Sequence, residues 1–154
     1  MISQTAEYAL RSVVHMASLN GGSAEVHTTQ GIAEATQIPA GYLSKVLQSL
    51  AKSGLIVSQR GLGGGFRLAK APAEMTIYEV VSAVNALPRI HSCPLNLQEH
   101  ADHLCPLHAR LDEVMATVEN AFRATTIAEL TAEPPSSVRS SMLIKLEPAE
   151  RQSA

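Results

Sequence analysis

Tryptophan is absent from this 154-residue chain, and two phenylalanines and three tyrosines are its only aromatic side chains apart from histidine. Its core must therefore be packed from aliphatic residues, which the 45% hydrophobic fraction supplies. Long apolar runs are missing too. None approaches the roughly 18 to 20 residues that span a bilayer, so no membrane partner is expected. The start, MISQTAEYALR, lacks the basic stretch, apolar run and small-residue cleavage site of a secretory signal, which predicts a cytoplasmic protein. Cysteine is limited to Cys93 and Cys105, and in a reducing compartment two thiols do not suggest a disulfide framework. Excess charge is also lacking overall, at a net −2. The distribution is uneven: residues 1–70 hold six Lys/Arg against three acids, whereas residues 71–154 hold six against eleven. A basic N-terminal half is compatible with a polyanionic partner.

What is present is periodic. Ala6, Leu10, Val13, Val14 and Ala17 predict a helix over 4–19 with one buried face, stopped by Asn-Gly-Gly-Ser at 20–23. Thr28 is placed to cap a short second helix. Pro39 suits the opening of a third, which buries Leu43, Val46, Leu47 and Leu50 and ends at Gly54. Two strand-like runs, LIVSQRG and GFRLAK, flank a glycine-rich tip and predict a hairpin. Thr76 and Glu79 form a capping-box pattern for a helix over 76–87 that Pro88 ends. The last and longest helix opens at Cys105 and Pro106. Leu107, Leu111, Val114, Met115, Val118 and Phe122 stripe it to about Glu129, a rod of roughly 35 Å that calls for a partner helix. From 131 on, Pro, Ser and charge predict a disordered tail, with SMLIKL as its apolar patch.

The expected fold is mainly α with a small β-hairpin wing: a winged helix-turn-helix over 1–72, a connecting helix and sensor loop over 73–104, and a dimerisation helix over 105–130. The third helix offers Gly41, Tyr42, Ser44, Lys45 and Gln48 on its outer face, with no acid among them. Such a face suits the major groove, with Lys45 and Gln48 reaching base edges or phosphates. Arg60 and Arg67 on the slim hairpin suit the minor groove. A solvated helix face, or a module that docks a protein partner, is the alternative. An enzyme is not expected, because GLGGG lacks the Lys-Ser/Thr of a phosphate loop and no carboxylate dyad or oxyanion device accompanies the Cys/His residues.

The strings EYALR, GIAEATQIPAGYLSKVLQSLAKSGLIVSQRGLGGGFRLAKAP and MTIYEVVSAVN resemble the Rrf2 family of bacterial transcription regulators over about residues 1–130. The resemblance implies a homodimer, paired through the long helix on a near-palindromic double-stranded operator. It also implies Tyr42, Ser44 and Lys45 in the major groove and Arg60 in the minor groove. Ser44 stands where some relatives carry glutamate.

Cluster-binding relatives hold three cysteines in the loop before the long helix. A fourth ligand comes from a histidine after the last cysteine or from an acid of the partner's first helix. This chain keeps Cys93 and Cys105, offers Glu99 and His100 at the middle position, and has His108 and Glu7 at the variable ones. The implied cofactor is an iron–sulfur cluster, 2Fe–2S with two thiolates and two N/O ligands. Zinc on Cys93, Cys105, His108 and His100 or His103 is a second option. A metal-free thiol switch is a third, since Cys105 opens a helix whose dipole favours a thiolate. Repression gated by this loop is the expected function. His15 is expected to be a packing residue, His27 solvated, and Glu7 either a ligand or an i,i+4 partner of Arg11.

Overall fold

Helical spacing of aliphatic residues produces most of the architecture. The computed structural model describes residues 2–18, 25–94 and 103–132. In order, its elements are α1 (Gln4–Ser18), α2 (Thr29–Thr36), α3 (Ala40–Lys52), β1 (Ile56–Gln59), β2 (Gly65–Leu68), a 3-10 turn (Pro72–Glu74), α4 (Ile77–Val84), α5 (Pro106–Ala124) and α6 (Ile127–Thr131). The turn expected at 20–23, Glu99 and His100, and the tail from 133 lie outside the described residues.

The N-terminal head, α1 to β2, forms as its local signals direct. The Thr28 hydroxyl accepts the Gly31 N–H at 3.0 Å and caps α2. Pro39 precedes α3, which buries Leu43, Val46, Leu47 and Leu50. Gly54, at φ +74°, lets the chain leave α3 for β1. The strands pair antiparallel, Ile56 opposite Leu68 through Gln59 opposite Gly65. The open end of this register is fixed from inside, because the facing pair Ile56 and Leu68 is buried in the common core.

Four expectations are corrected. The inward face of α1 is centred on Ala6, Ala9, Val13 and Met16, with Leu10, Val14 and Ala17 only partly buried. Because α2, α3, α4 and α6 all pack on it, the alanines face the closest neighbours. Second, α4 ends at Val84 rather than at 87. Third, the last helix stops at Ala124. Thr126 then caps a separate α6, its hydroxyl accepting the Glu129 N–H while Glu129 accepts the Thr126 N–H at 3.0 Å. The rod is therefore about 28 Å long for its 19 residues. Fourth, His27 is buried, not solvated. Its backbone exchanges two 2.8 Å hydrogen bonds with Phe66 and anchors the base of the wing.

The core does not end at residue 72. Met75, Val80 and Ile127 are fully buried in one cluster with Val13, Leu47 and Leu50. The Ile127 N–H donates to the Met75 carbonyl at 2.8 Å, and the Ile77 N–H to the Thr125 carbonyl at 3.0 Å. Both ends of the α4–α6 stretch thus belong to the head, and α5 runs back to it. No helix among the described residues is long and apolar enough to cross a membrane.

Candidate nucleic-acid interface and metal centre

The outer face of α3 carries Gly41, Tyr42, Lys45 and Gln48 exposed and Ser44 half-exposed, opposite the buried Leu/Val face. Tyr42 is braced. Its hydroxyl shares a 2.6 Å hydrogen bond with Thr5, and its ring meets Tyr8 edge-on at 5.4 Å. Ser44 donates its hydroxyl to the Ala40 carbonyl at 2.9 Å, so its oxygen lies close to the helix surface. Arg60 is exposed at the start of the wing turn, while Arg67 is half-buried on β2 with a long contact of 3.4 Å to the Leu68 carbonyl. Neither α3 nor the wing bears an acid, so nothing on this surface repels a phosphate backbone.

The second site sits where the segment after α4 meets the start of α5. The Cys93 and Cys105 side chains are both buried. The His108 Nδ1 lies 3.1 Å from the Cys105 sulfur and 3.7 Å from the Cys93 sulfur. All three donor atoms lie within 4.8 Å of one another. Cys105 and His108 converge because they are three residues apart across the first turn of α5. Cys93 is brought to them by a staple that sequence reading missed. Arg89 grips Asp112 through two 2.7 Å hydrogen bonds and reaches Glu119 at 3.3 Å, while the Ile90 N–H donates to Asp112 at 2.9 Å. The Arg89 guanidinium and then the Ile90 N–H hold the Asp112 carboxyl well below the usual carboxylate range, and Arg89 is pushed up in turn. The only sequence signal for this staple was an arginine directly after Pro88.

Glu7 is not part of this cluster within the chain. It pairs with Arg11 at 2.7 Å, the i,i+4 alternative. The donor set fits a metal: two thiolates and an imidazole are ligands for zinc or iron–sulfur iron, and the three donor atoms already lie within 4.8 Å of one another. Three donors leave one position for a further ligand.

His15 and His27 form a separate pair, edge-to-face at 6.0 Å. Burial first and the His27 ring second lower the His15 imidazole from its ordinary value, with Glu25 acting in the opposite sense. The His27 Nε2 is buried with no hydrogen-bond partner among the described residues.

The exposed stripe of α5 is the third feature. No residue of α5 is buried, and Leu107, Leu111 and Val114 are exposed. Leu111, Val114, Met115 and Val118 line an apolar groove of about 260 Å³ with Leu87 and Pro88.

Residues 2–133 match the family described as Rrf2, iron-dependent transcriptional regulator. A protein of Aquifex aeolicus assigned as an HTH-type transcriptional regulator is 31% identical over 133 residues, covering 84% of this chain and 90% of that protein. The HTH-type transcriptional regulator NsrR of Geobacillus kaustophilus is 33% identical over 129 residues, covering 80% and 84%. Among solved structures, CymR, the global cysteine regulator of B. subtilis, superimposes with a TM-score of 0.68 at 21% identity, covering 85% of this chain and 95% of that one. T. potens IscR does so with a TM-score of 0.67 at 17% identity, covering 90% and 96%. At these identities the two structures bear on the fold alone.

Proposed function

The chain belongs to the Rrf2 family of DNA-binding transcriptional regulators, not to a family of enzymes, and from that premise we propose that it is a homodimeric operator-binding repressor gated by a metal centre on Cys93, Cys105 and His108. The convergence of these three donors within 4.8 Å carries the gating. A 2Fe–2S cluster is the favoured occupant, supported by the iron-dependent description of the family, and zinc is the alternative. Bound iron would supply a redox- or ligand-responsive charge at the start of α5. The chain's own part is to hold two sulfurs and a nitrogen in register through the Arg89–Asp112 staple. The fourth ligand comes from Glu7 of a second copy, or from His100 or His103 of the same loop.

DNA contact is assigned to Gly41, Tyr42, Ser44, Lys45 and Gln48 in the major groove and to Arg60 in the minor groove, with Arg67 on the phosphates. The absence of acids from both elements supports this, as does the bracing of Tyr42 by α1. Pairing through α5 is supported by its uncovered groove, since an apolar surface of this kind is stabilised by burial. The two sulfurs also lie within 4.8 Å of each other, and a metal-free thiol switch on this pair is the second reading.

Anaerobic purification, metal analysis and an absorption spectrum test the proposal, together with promoter titrations of Cys93→Ser, Cys105→Ser and His108→Ala. Bound iron or zinc that each substitution removes, with a changed promoter affinity, supports it. A metal-free protein whose promoter affinity ignores all three substitutions overturns the gating. A reductant-dependent affinity without metal selects the thiol switch.

A further inference from the structure

We propose that Leu62, at the tip of the wing, is a minor-groove wedge that presses into a base step of bound DNA and so contributes to DNA bending and to operator choice. The inference rests on the reading that the wing enters the minor groove, and it names a residue and a mode of recognition that this reading leaves out. Leu62 is fully exposed, whereas Ile56 and Leu68 of the same hairpin are buried. It stands between Gly61, at φ +101°, and Gly63, at φ +76°, two backbone conformations that glycine adopts without strain.

The turn is closed, not loose. The Gly64 N–H donates to the Gly61 carbonyl at 2.9 Å, and a Cβ on Gly64 would strike the Gln59 carbonyl at 2.6 Å and the Gly61 carbonyl at 2.8 Å. The base of the hairpin is held by the His27–Phe66 bridge. The leucine is therefore carried out on an arm whose neighbouring residues 61, 63 and 64 add no side-chain width. That slimness matters in a groove only about 6 Å wide.

The charge around the tip selects the occupant. Arg60 adjoins the tip and Arg67 lies on β2, and the hairpin stretch 55–68 holds no acid. An apolar side chain among cations, on a convex projection, matches the chemistry by which proteins wedge apart base steps while cations grip the flanking phosphates. Pyrimidine–purine steps, the easiest to unstack, are the expected target.

The test uses the full chain and a duplex that it selects from a random-sequence pool. Leu62→Ser and Leu62→Met are compared by anisotropy titration, by end-to-end energy transfer across the duplex, and by 2-aminopurine fluorescence at the step facing the wing. A fully exposed residue supports no packing, so both variants should unfold at the wild-type urea midpoint. Leu62→Ser is expected to weaken binding about tenfold, the scale of one leucine side chain removed from water, and to reduce both the bend and the 2-aminopurine signal. Leu62→Met is expected to keep all three. Equal affinity and bend in Leu62→Ser overturn the wedge. Reduced affinity at an unchanged bend and 2-aminopurine signal also overturns it, making Leu62 a surface contact. If instead the chain selects no duplex, or Arg60→Ala and Lys45→Ala bind as tightly as wild type, the DNA-contact reading itself has failed.

Discussion

Replacing Val114 by aspartate should separate the two copies of the proposed dimer while leaving each head folded. Val114 is 57% exposed in the single chain and belongs to the groove formed by Leu111, Met115 and Val118 with Leu87 and Pro88. It is not part of the core cluster of the head. Covering the rest of this side chain with a partner helix is worth about 1 kcal/mol. A carboxylate in its place must be desolvated or protonated, and with the lost burial the cost is about 3 kcal/mol per copy. A two-fold interface presents the change twice. The dimer should weaken by about 6 kcal/mol, or roughly four orders of magnitude in dissociation constant. Sedimentation equilibrium across a micromolar range reads this directly, and far-UV circular dichroism checks the helices. An intact Val114→Asp dimer, or a wild type that is monomeric at millimolar concentration, would refute pairing through this groove.

Thr76→Ala removes a two-way capping box, in which Glu79 accepts the Thr76 N–H at 2.8 Å. It should cost about 1 kcal/mol in a urea titration. Gly65→Ala places a methyl group against the His27 carbonyl, a backbone atom that cannot swing aside. It should cost about 2 kcal/mol and lower DNA affinity by displacing the wing, measured by denaturation and anisotropy. His15 has its folded-state value below the ordinary one of 6.5, so the unfolded chain takes up its proton first as the solution is acidified. Its contribution is complete above that value and is lost as pH falls below it. His15→Leu should therefore flatten the decline in urea midpoint as pH falls below about 6.5, and an unchanged slope would assign that decline elsewhere.

The reading head was legible because its signals are local. Thr28, Pro39, Gly54 and the Leu43–Leu50 stripe act within a few residues of themselves, and each sits where short-range chemistry puts it. The end of α5 was legible but overlooked. TIAE at 126–129 repeats the pattern of TIYE at 76–79, and both are capping boxes. The apolar stripe masked it, since periodicity continues across a break that a cap imposes. What could not be read were contacts between distant segments. The burial of His27 follows from its pairing with Phe66, 39 residues later, and the placement of Cys93 from Arg89 meeting Asp112 and Glu119. No period or motif announces such a meeting. At the candidate metal centre, Cys105 with His108 was visible from spacing, whereas the approach of Cys93 required the staple.

Consider the break at Thr125. Ile127 is sunk in the head, the Thr125 carbonyl accepts from Ile77, and the Arg123 guanidinium rests 3.4 Å above the centre of the Tyr78 ring. These contacts make the C-terminal end of α5 a fulcrum, with the sulfur-bearing end, tied to the segment after α4 by Arg89 and Asp112, as the long arm. Over an arm of about 28 Å, a tilt of only about two degrees swings the far end by about 1 Å. Under the gating proposed above, a shift of that end would become rotation at the pivot, where α4 and α6 lie directly against α1.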